Sequence, residues 1–224
     1  MNFSPLDNPI WNSLNSEHRS LATLYGSAGR FSPDVSPLVG MLDGTEGAFD
    51  DLALVLSDGT RGATFTAYPI TVPAGWEAQQ RVISQMVCTK VTEFRTDGVG
   101  PLGEADVPDM LELAAATEPG PFGSETISFG RYYGIRMDDG RLAAMAGERL
   151  ALDRFVEISA VCTRAEFRGR GYASSLVSLI AARILSVGKV PFLHVKTEND
   201  ARLVYEKIGF SVRKPMHVTA VKKI

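Results

Sequence analysis

The residues best placed by type and spacing to do chemistry are Arg168-Gly169-Arg170-Gly171-Tyr172-Ala173, which lie between a strand-like run and a helix-like one. The two glycines let the backbone come close to a ligand, because they accept conformations that side chains resist. The helix that follows must leave the N–H groups of its first turn without intrahelical acceptors, at the positive end of its dipole. Arg168 and Arg170 add full positive charge, so a diphosphate suits this turn. Read alone, the same pattern also describes a basic surface turn. There is no G-x-x-x-x-G-K-[ST] and no G-x-G-x-x-G opening a βαβ unit, which makes ATP and NAD poor candidates.

The elements that must position this turn can be read on either side of it. Residues 154–163 (RFVEISAVCT) read as a strand. A helix over residues 171–187 carries Leu176, Val177, Ile180, Ile184 and Leu185 at three- and four-residue spacings. A strand over 190–195 follows, then a helix over 199–208 stopped by Gly209, and two short strands, 210–213 and 217–221, broken at Lys214-Pro215. Upstream, acidic residues and Pro108 open a helix carrying Met110, Leu111, Leu113 and Ala114 that ends near Pro119. Strands over 132–137 and 141–149 meet at Asp138-Asp139-Gly140 and predict an antiparallel meander. Together these form an α/β (α+β) fold with a mixed, mostly antiparallel sheet and helices on both faces.

Residues 93–103, with Asp97-Gly98 and Gly100-Pro101, read as a linker, dividing the chain into 1–94 and 95–224. The first part predicts a small α/β subdomain: a helix over 9–25, strands over 52–56 and 63–68 joined at Asp58-Gly59, and a strand over 81–91. It carries no chemical motif, and two roles stay open for it: a degenerate half of the main sheet, or a cap that walls the acceptor pocket and offers a dimer surface.

With 224 residues, 45% hydrophobic and 22% charged, the chain can bury a real core without disulfide or metal staples. Its two cysteines, Cys88 and Cys162, and a start without a basic and apolar leader pattern predict a cytoplasmic protein. No apolar run is long enough for a membrane span. A net charge of −3 makes no case for nucleic acid. Charge is uneven, however: residues 157–224 hold 12 Lys/Arg against 5 Asp/Glu, net +7, leaving 11 against 21, net −10, before them. A small anionic partner fits that asymmetry.

The run Glu157-Ile158-Ser159-Ala160-Val161-Cys162-Thr163, the turn RGRGYAS and the later stretch Asn199-Asp200-Ala201-Arg202-Leu203-Val204-Tyr205-Glu206-Lys207-Ile208-Gly209-Phe210 together resemble the GNAT acyltransferases, and more narrowly their FR47-like branch. The resemblance spans residues 100–224. It implies an N-acetyltransferase with an acetyl-CoA site, the acetyl-CoA serving as cosubstrate, in a splay between two strands. The main chain of Val161, Cys162 and Thr163 would pair with the pantetheine arm. The N–H groups of Gly169, Arg170, Gly171, Tyr172, Ala173 and Ser174 would bind the pyrophosphate beside Arg168. Asn199 would lie near the pantetheine, and Tyr205 would protonate the departing thiolate. Glu157, 14 residues before Gly171, falls where related enzymes carry a strand glutamate that deprotonates the amine through water; a water chain alone is the other route.

Strand alternation puts Glu157, Ser159, Val161 and Thr163 on one face and Cys162 on the other, toward the core, as an inert thiol. Tyr205 also fits a core tyrosine beside Leu203 and Ile208. His18, His194 and His217 are scattered, and no spacing supports a metal. Two functions remain: acetyl transfer from acetyl-CoA to a primary amine of a small molecule or amino acid, or a lapsed CoA-binding module with a protein partner. A homodimer is open in either case. Acceptor choice is expected from residues 114–127, rich in proline and glycine, and from the N-terminal part.

Overall fold

In the computed structural model, which describes residues 2–224, the chain begins with α1 (Pro9–Leu14) and a three-stranded sheet, β1 (Ala22–Tyr25), β2 (Ala28–Phe31) and β3 (Val39–Met41), backed by α2 (Glu46–Val55). β4 (Arg61–Thr66), β5 (Trp76–Cys88) and β6 (Val99–Leu102) follow. Then come α3 (Val107–Thr117), the meander β7 (Tyr132–Arg136), β8 (Leu142–Leu152) and β9 (Phe155–Thr163), α4 (Tyr172–Ser186), β10 (Val190–Lys196), α5 (Ala201–Ile208) and β11 (Phe210–Lys223). The main sheet has eight strands in the order β4-β11-β5-β10-β9-β8-β7-β6. Its pairs are antiparallel except β9 with β10.

Helices cover both faces because each strand of the sheet's centre is apolar on both sides. Val156 and Ile158 of β9 and Leu193 and Val195 of β10 pack under Leu176, Val177, Ile180 and Ile184 of α4 and Ile208 of α5. On the opposite face, Phe155 and Phe192 meet Leu6, Ile10 and Leu14 at the N-terminus, while Met110 and Leu113 of α3 cover Tyr132, Met145 and Cys162. Removing such faces from water is worth roughly 25 cal/mol per Å² of apolar surface.

Several local expectations give way to tertiary pairing. The helix expected over 9–25 stops at Leu14, and residues 22–25 become β1, because Ala22–Tyr25 finds a ladder with Ala28–Phe31. Residues 52–56 end a helix rather than form a strand: Thr45 caps it through Ala48 N at 3.4 Å, and Ala48, Phe49 and Leu52 line its buried side. The expected linker 93–103 contains β6, which pairs with β7. The break expected at Lys214-Pro215 is absent: both residues pair with β5 within one continuous strand, just past a bulge at Arg213. Pro215 is tolerated there because β4 pairs with β11 only from His217 onward, leaving that side free.

The division at residue 94 does not divide the sheet. β5 from the first part lies between β10 and β11 of the second, and β4 closes the edge beyond β11. Among the described residues, no helix is long and apolar enough to cross a membrane.

Candidate active site

β9 and β10 run side by side only where Phe155, Val156 and Glu157 face Val190, Pro191 and Phe192. β10 then stays with β5, β9 stays with β8, and a cleft of about 240 Å³ opens between them. Its walls are Ile158, Ser159, Ala160 and Val161 on one side and Leu193, His194, Val195 and Lys196 on the other, with Asn199, Tyr205 and residues 117–119 closing it. A β-bulge at the divergence keeps β9 from following β10. The two-residue step from Met145 to Gly147 on β8 spans the longer step from Cys162 to Ser159 on β9, and Ala160 takes a left-handed φ of 53°.

This bulge also corrects the expected alternation. Past Ala160 the faces exchange, so Val161 turns toward the α4 core while Cys162 packs with Tyr132 and Met145 under α3. Cys162 therefore lies on the Glu157 side of the sheet, opposite to the simple period-two reading. Burial pushes its thiol up, so an inert thiol it remains.

Past the cleft wall along the chain, β9 runs through the short 3₁₀ turn Ala165–Phe167 into residues 168–171 and α4. Gly169 and Gly171 hold φ of 77° and 81°, and a Cβ at either would point into open space. Six successive amides, residues 169–174, have no acceptor among the described residues; the first helical bond is from Ser175 N to Gly171 O at 3.0 Å. The turn thus offers a row of unpaired N–H donors at a helix N-terminus. The Arg170 guanidinium sits 5.2 Å from the Phe167 ring centre and Arg141 at 5.4 Å from the same ring, keeping both charges beside the turn.

Asn199 accepts at its side-chain oxygen from the N–H of Ala201, the first residue of α5, at 2.9 Å, which leaves the amide NH₂ without a partner among the described residues. Tyr205 is nearly buried, with Phe210 at 6.2 Å. Burial, with a smaller contribution from Cys162, raises its hydroxyl to about 12, so it keeps its proton at neutral pH.

Glu157 is fully buried. Burial pushes its carboxyl up, but Arg149 grips both oxygens at 2.8 and 2.6 Å and His194 Nδ1 adds a contact at 2.7 Å, together holding it at about 2. A carboxylate so engaged is a poor proton acceptor at neutral pH, so the geometry argues against the base role expected for Glu157. His194 is no free base either. Arg213 donates to Gln85 Oε1 at 2.8 Å and Gln85 Nε2 donates to Leu6 O at 3.0 Å, which fixes the amide's orientation. The same Nε2 lies 3.1 Å from His194 Nε2, which must accept, leaving the proton on Nδ1 toward Glu157. Asp7 completes the chain of contacts at Arg213.

Arg149, His194, Gln85 and Arg213 escaped the sequence reading. Arg149 enters because a second bulge between Glu148 and Ala151 turns it inward, and no spacing announces a bulge. His194 was visible only as a strand histidine.

A smaller pocket adjoins the cleft, lined by residues 119–122, Thr126, Tyr132, Arg149, Ser159 and Ala160. Its loop rests on the N-terminal part: Glu125 N donates to Asp34 O at 3.1 Å and Thr126 Oγ1 to Val35 O at 2.8 Å. A Cβ on Gly123 would sit 2.7 Å from Asp34 O. Gly123→Ala should therefore displace this loop; on the acetyl-CoA site that the sequence resemblance implies, the expected result is an acceptor KM raised severalfold with the CoA dissociation constant unmoved. Steady-state kinetics against calorimetry separates the two, and a shared shift would count against this assignment.

Residues 132–218 match the family model described as FR47-like protein. The chain is 39% identical to a protein from Novosphingobium aromaticivorans whose crystal structure places it in the GNAT family of acetyltransferases; the match covers 98% of this chain and 99% of that one at a TM-score of 0.90. This chain belongs to the GNAT family. The FR47-like match agrees with its branch. Two further GNAT relatives share the fold across nearly the whole length. A GCN5-related N-acetyltransferase-like protein from Streptococcus suis is 12% identical with a TM-score of 0.61, covering 96% of this chain and 92% of that one. A GCN5-related N-acetyltransferase from Kribbella flavida is 14% identical with a TM-score of 0.60, covering 94% and 91%. No curated protein matches the chain. The 39% match includes the N-terminal part, as the shared sheet requires of this GNAT chain.

Proposed function

We propose that the chain is an N-acetyltransferase that moves an acetyl group from acetyl-CoA directly to a primary amine of a small molecule or amino acid. One observation carries the reading: β9, which walls a cleft formed by parting parallel strands, leads through one short turn to six successive unpaired amides at 169–174, an order that suits a diphosphate whose extended arm runs back along the strand. The amides fit the two phosphates, and the unpaired β9 edge at residues 160–161, with the free NH₂ of Asn199, fits the amides of a pantetheine arm. Bound there, acetyl-CoA would supply an acyl group activated on sulfur. Tyr205 then holds a proton at its hydroxyl for the leaving sulfur, and a main-chain N–H, for which Val161 is the candidate, polarises the carbonyl. Glu157 serves as a fixed anion that braces Arg149 and His194, while the amine's proton leaves through cleft water. Among the described residues no cluster of three or more His, Cys, Asp or Glu is placed to hold a metal.

The direct test is isothermal calorimetry with CoA followed by a free-thiol assay over a panel of amines and amino acids. Thiol release that needs both acetyl-CoA and an amine supports the reading. CoA binding with no release on any acceptor would favour a lapsed module, and no CoA binding would remove the site. Gly171→Ala is expected to weaken CoA about tenfold, since it forces a side chain into a left-handed φ and into the space before the amides. An unchanged constant would take the turn out of the site.

A further inference from the structure

β5 is 13 residues long and pairs with β11 along its whole length, yet β10 covers its other edge only from Ile83 to Val87. Residues 76–82 thus keep a bare strand edge, and 77–82 are exposed on the surface. Glu77 and Arg81 have no ion-pair partner among the described residues. Val82, an apolar strand residue, is 48% exposed. An edge of this length with an apolar side chain at its end is a template for another strand.

We propose that this edge pairs with the same edge of a second copy, antiparallel about a two-fold axis through Gln79, to make one continuous sheet. The residues are self-complementary in that register. It sets Glu77 opposite Arg81 twice, Trp76 opposite Val82 twice, Ala78 opposite Gln80, and Gln79 opposite itself. An axis through Ala78 would leave Arg81 facing Gly75, and one through Gln80 would place Glu77 against Ile83, which β10 already covers. The lane is also free at both ends. β10 stops at Lys196, opposite Ile83, and Gly75 turns the partner's chain away with φ of 86° at the matching point. The proposed surface lies outside the cleft and stands independently of the acetyltransferase reading.

Sedimentation equilibrium on the full chain, 24.2 kDa as a monomer, tests it. The expected result is a dimer at micromolar concentration, weakened about tenfold or more by either Glu77→Arg or Arg81→Glu, each of which sets like charges opposite one another, and restored when both are exchanged together. Hydrogen exchange should show amides 77–82 gaining protection with concentration. A monomer at roughly 100 µM, a dimer indifferent to the single exchanges, or a double exchange as weak as either single one would overturn the proposal. Circular dichroism melting of the three variants keeps loss of pairing distinct from loss of fold.

Discussion

Glu157→Gln is expected to cost about 3–5 kcal/mol of folding stability, because it leaves the Arg149 guanidinium and the His194 N–H inside the protein without the anion that holds them. The same pairing sets an acid limit. Glu157's pKa in the folded chain lies near 2 against an ordinary 4.5. Its contribution to stability is therefore fully present above the ordinary value and is lost as pH falls from there toward 2. Wild type should lose stability steeply over that window, and Glu157→Gln, already weakened at pH 7, should lose less of it. Chemical denaturation at several pH values measures both. A fully stable Gln variant with its kcat lowered by two orders of magnitude would return Glu157 to the role of base. On the proposed route, in which the amine's proton leaves through cleft water, the acid limb of the rate profile should follow the acceptor amine and not this carboxylate.

Tyr205→Phe should lower kcat by about 10²- to 10⁴-fold while CoA affinity stays the same, since the proposed role sets the hydroxyl against the leaving sulfur and asks nothing of it in holding the nucleotide. The ring would keep its place against Phe210 and the α4 core, so the melting temperature should move little. With the hydroxyl held at about 12, the wild-type rate should not fall on the alkaline side through pH 10 on Tyr205's account. Unaltered turnover in the Phe variant would reduce Tyr205 to a core tyrosine and return the proton to cleft water. The experiment is sharp because the tyrosine's burial and its place on the cleft wall predict opposite outcomes.

The supports of the candidate site reach across the whole fold, although the proposed cofactor and proton-donor residues all lie in its final third. Gln85 holds His194 directly while Asp7 braces Gln85 through Arg213, and Asp34 and Val35 support the loop beside the cleft. The first 94 residues line neither the cleft nor the adjoining pocket, yet they fix what does. Their contribution is therefore expected in acceptor handling more than in CoA affinity, in line with the Gly123→Ala experiment.

Much of this was legible in the residues themselves. The glycines at 169 and 171 had to bend the chain where the helix began, and the three- and four-residue spacing of α4 had to bury one face. The meander and the order of elements from residue 132 onward followed from short-range periodicity and turn chemistry, both local properties. What the tertiary structure alone decided was non-local. Whether Leu52 lay in a helix or a strand depended on a cap and a facing sheet; whether β5 belonged to the second part depended on partners more than a hundred residues away. The two bulges, at Ala160 and beside Arg149, invert side-chain faces without any mark in the sequence, because an extra residue in one strand is defined only against its neighbour. For that reason Glu157 could be placed on a strand beside the site from its sequence, while its burial against Arg149 and His194 could be known only from the packed chain.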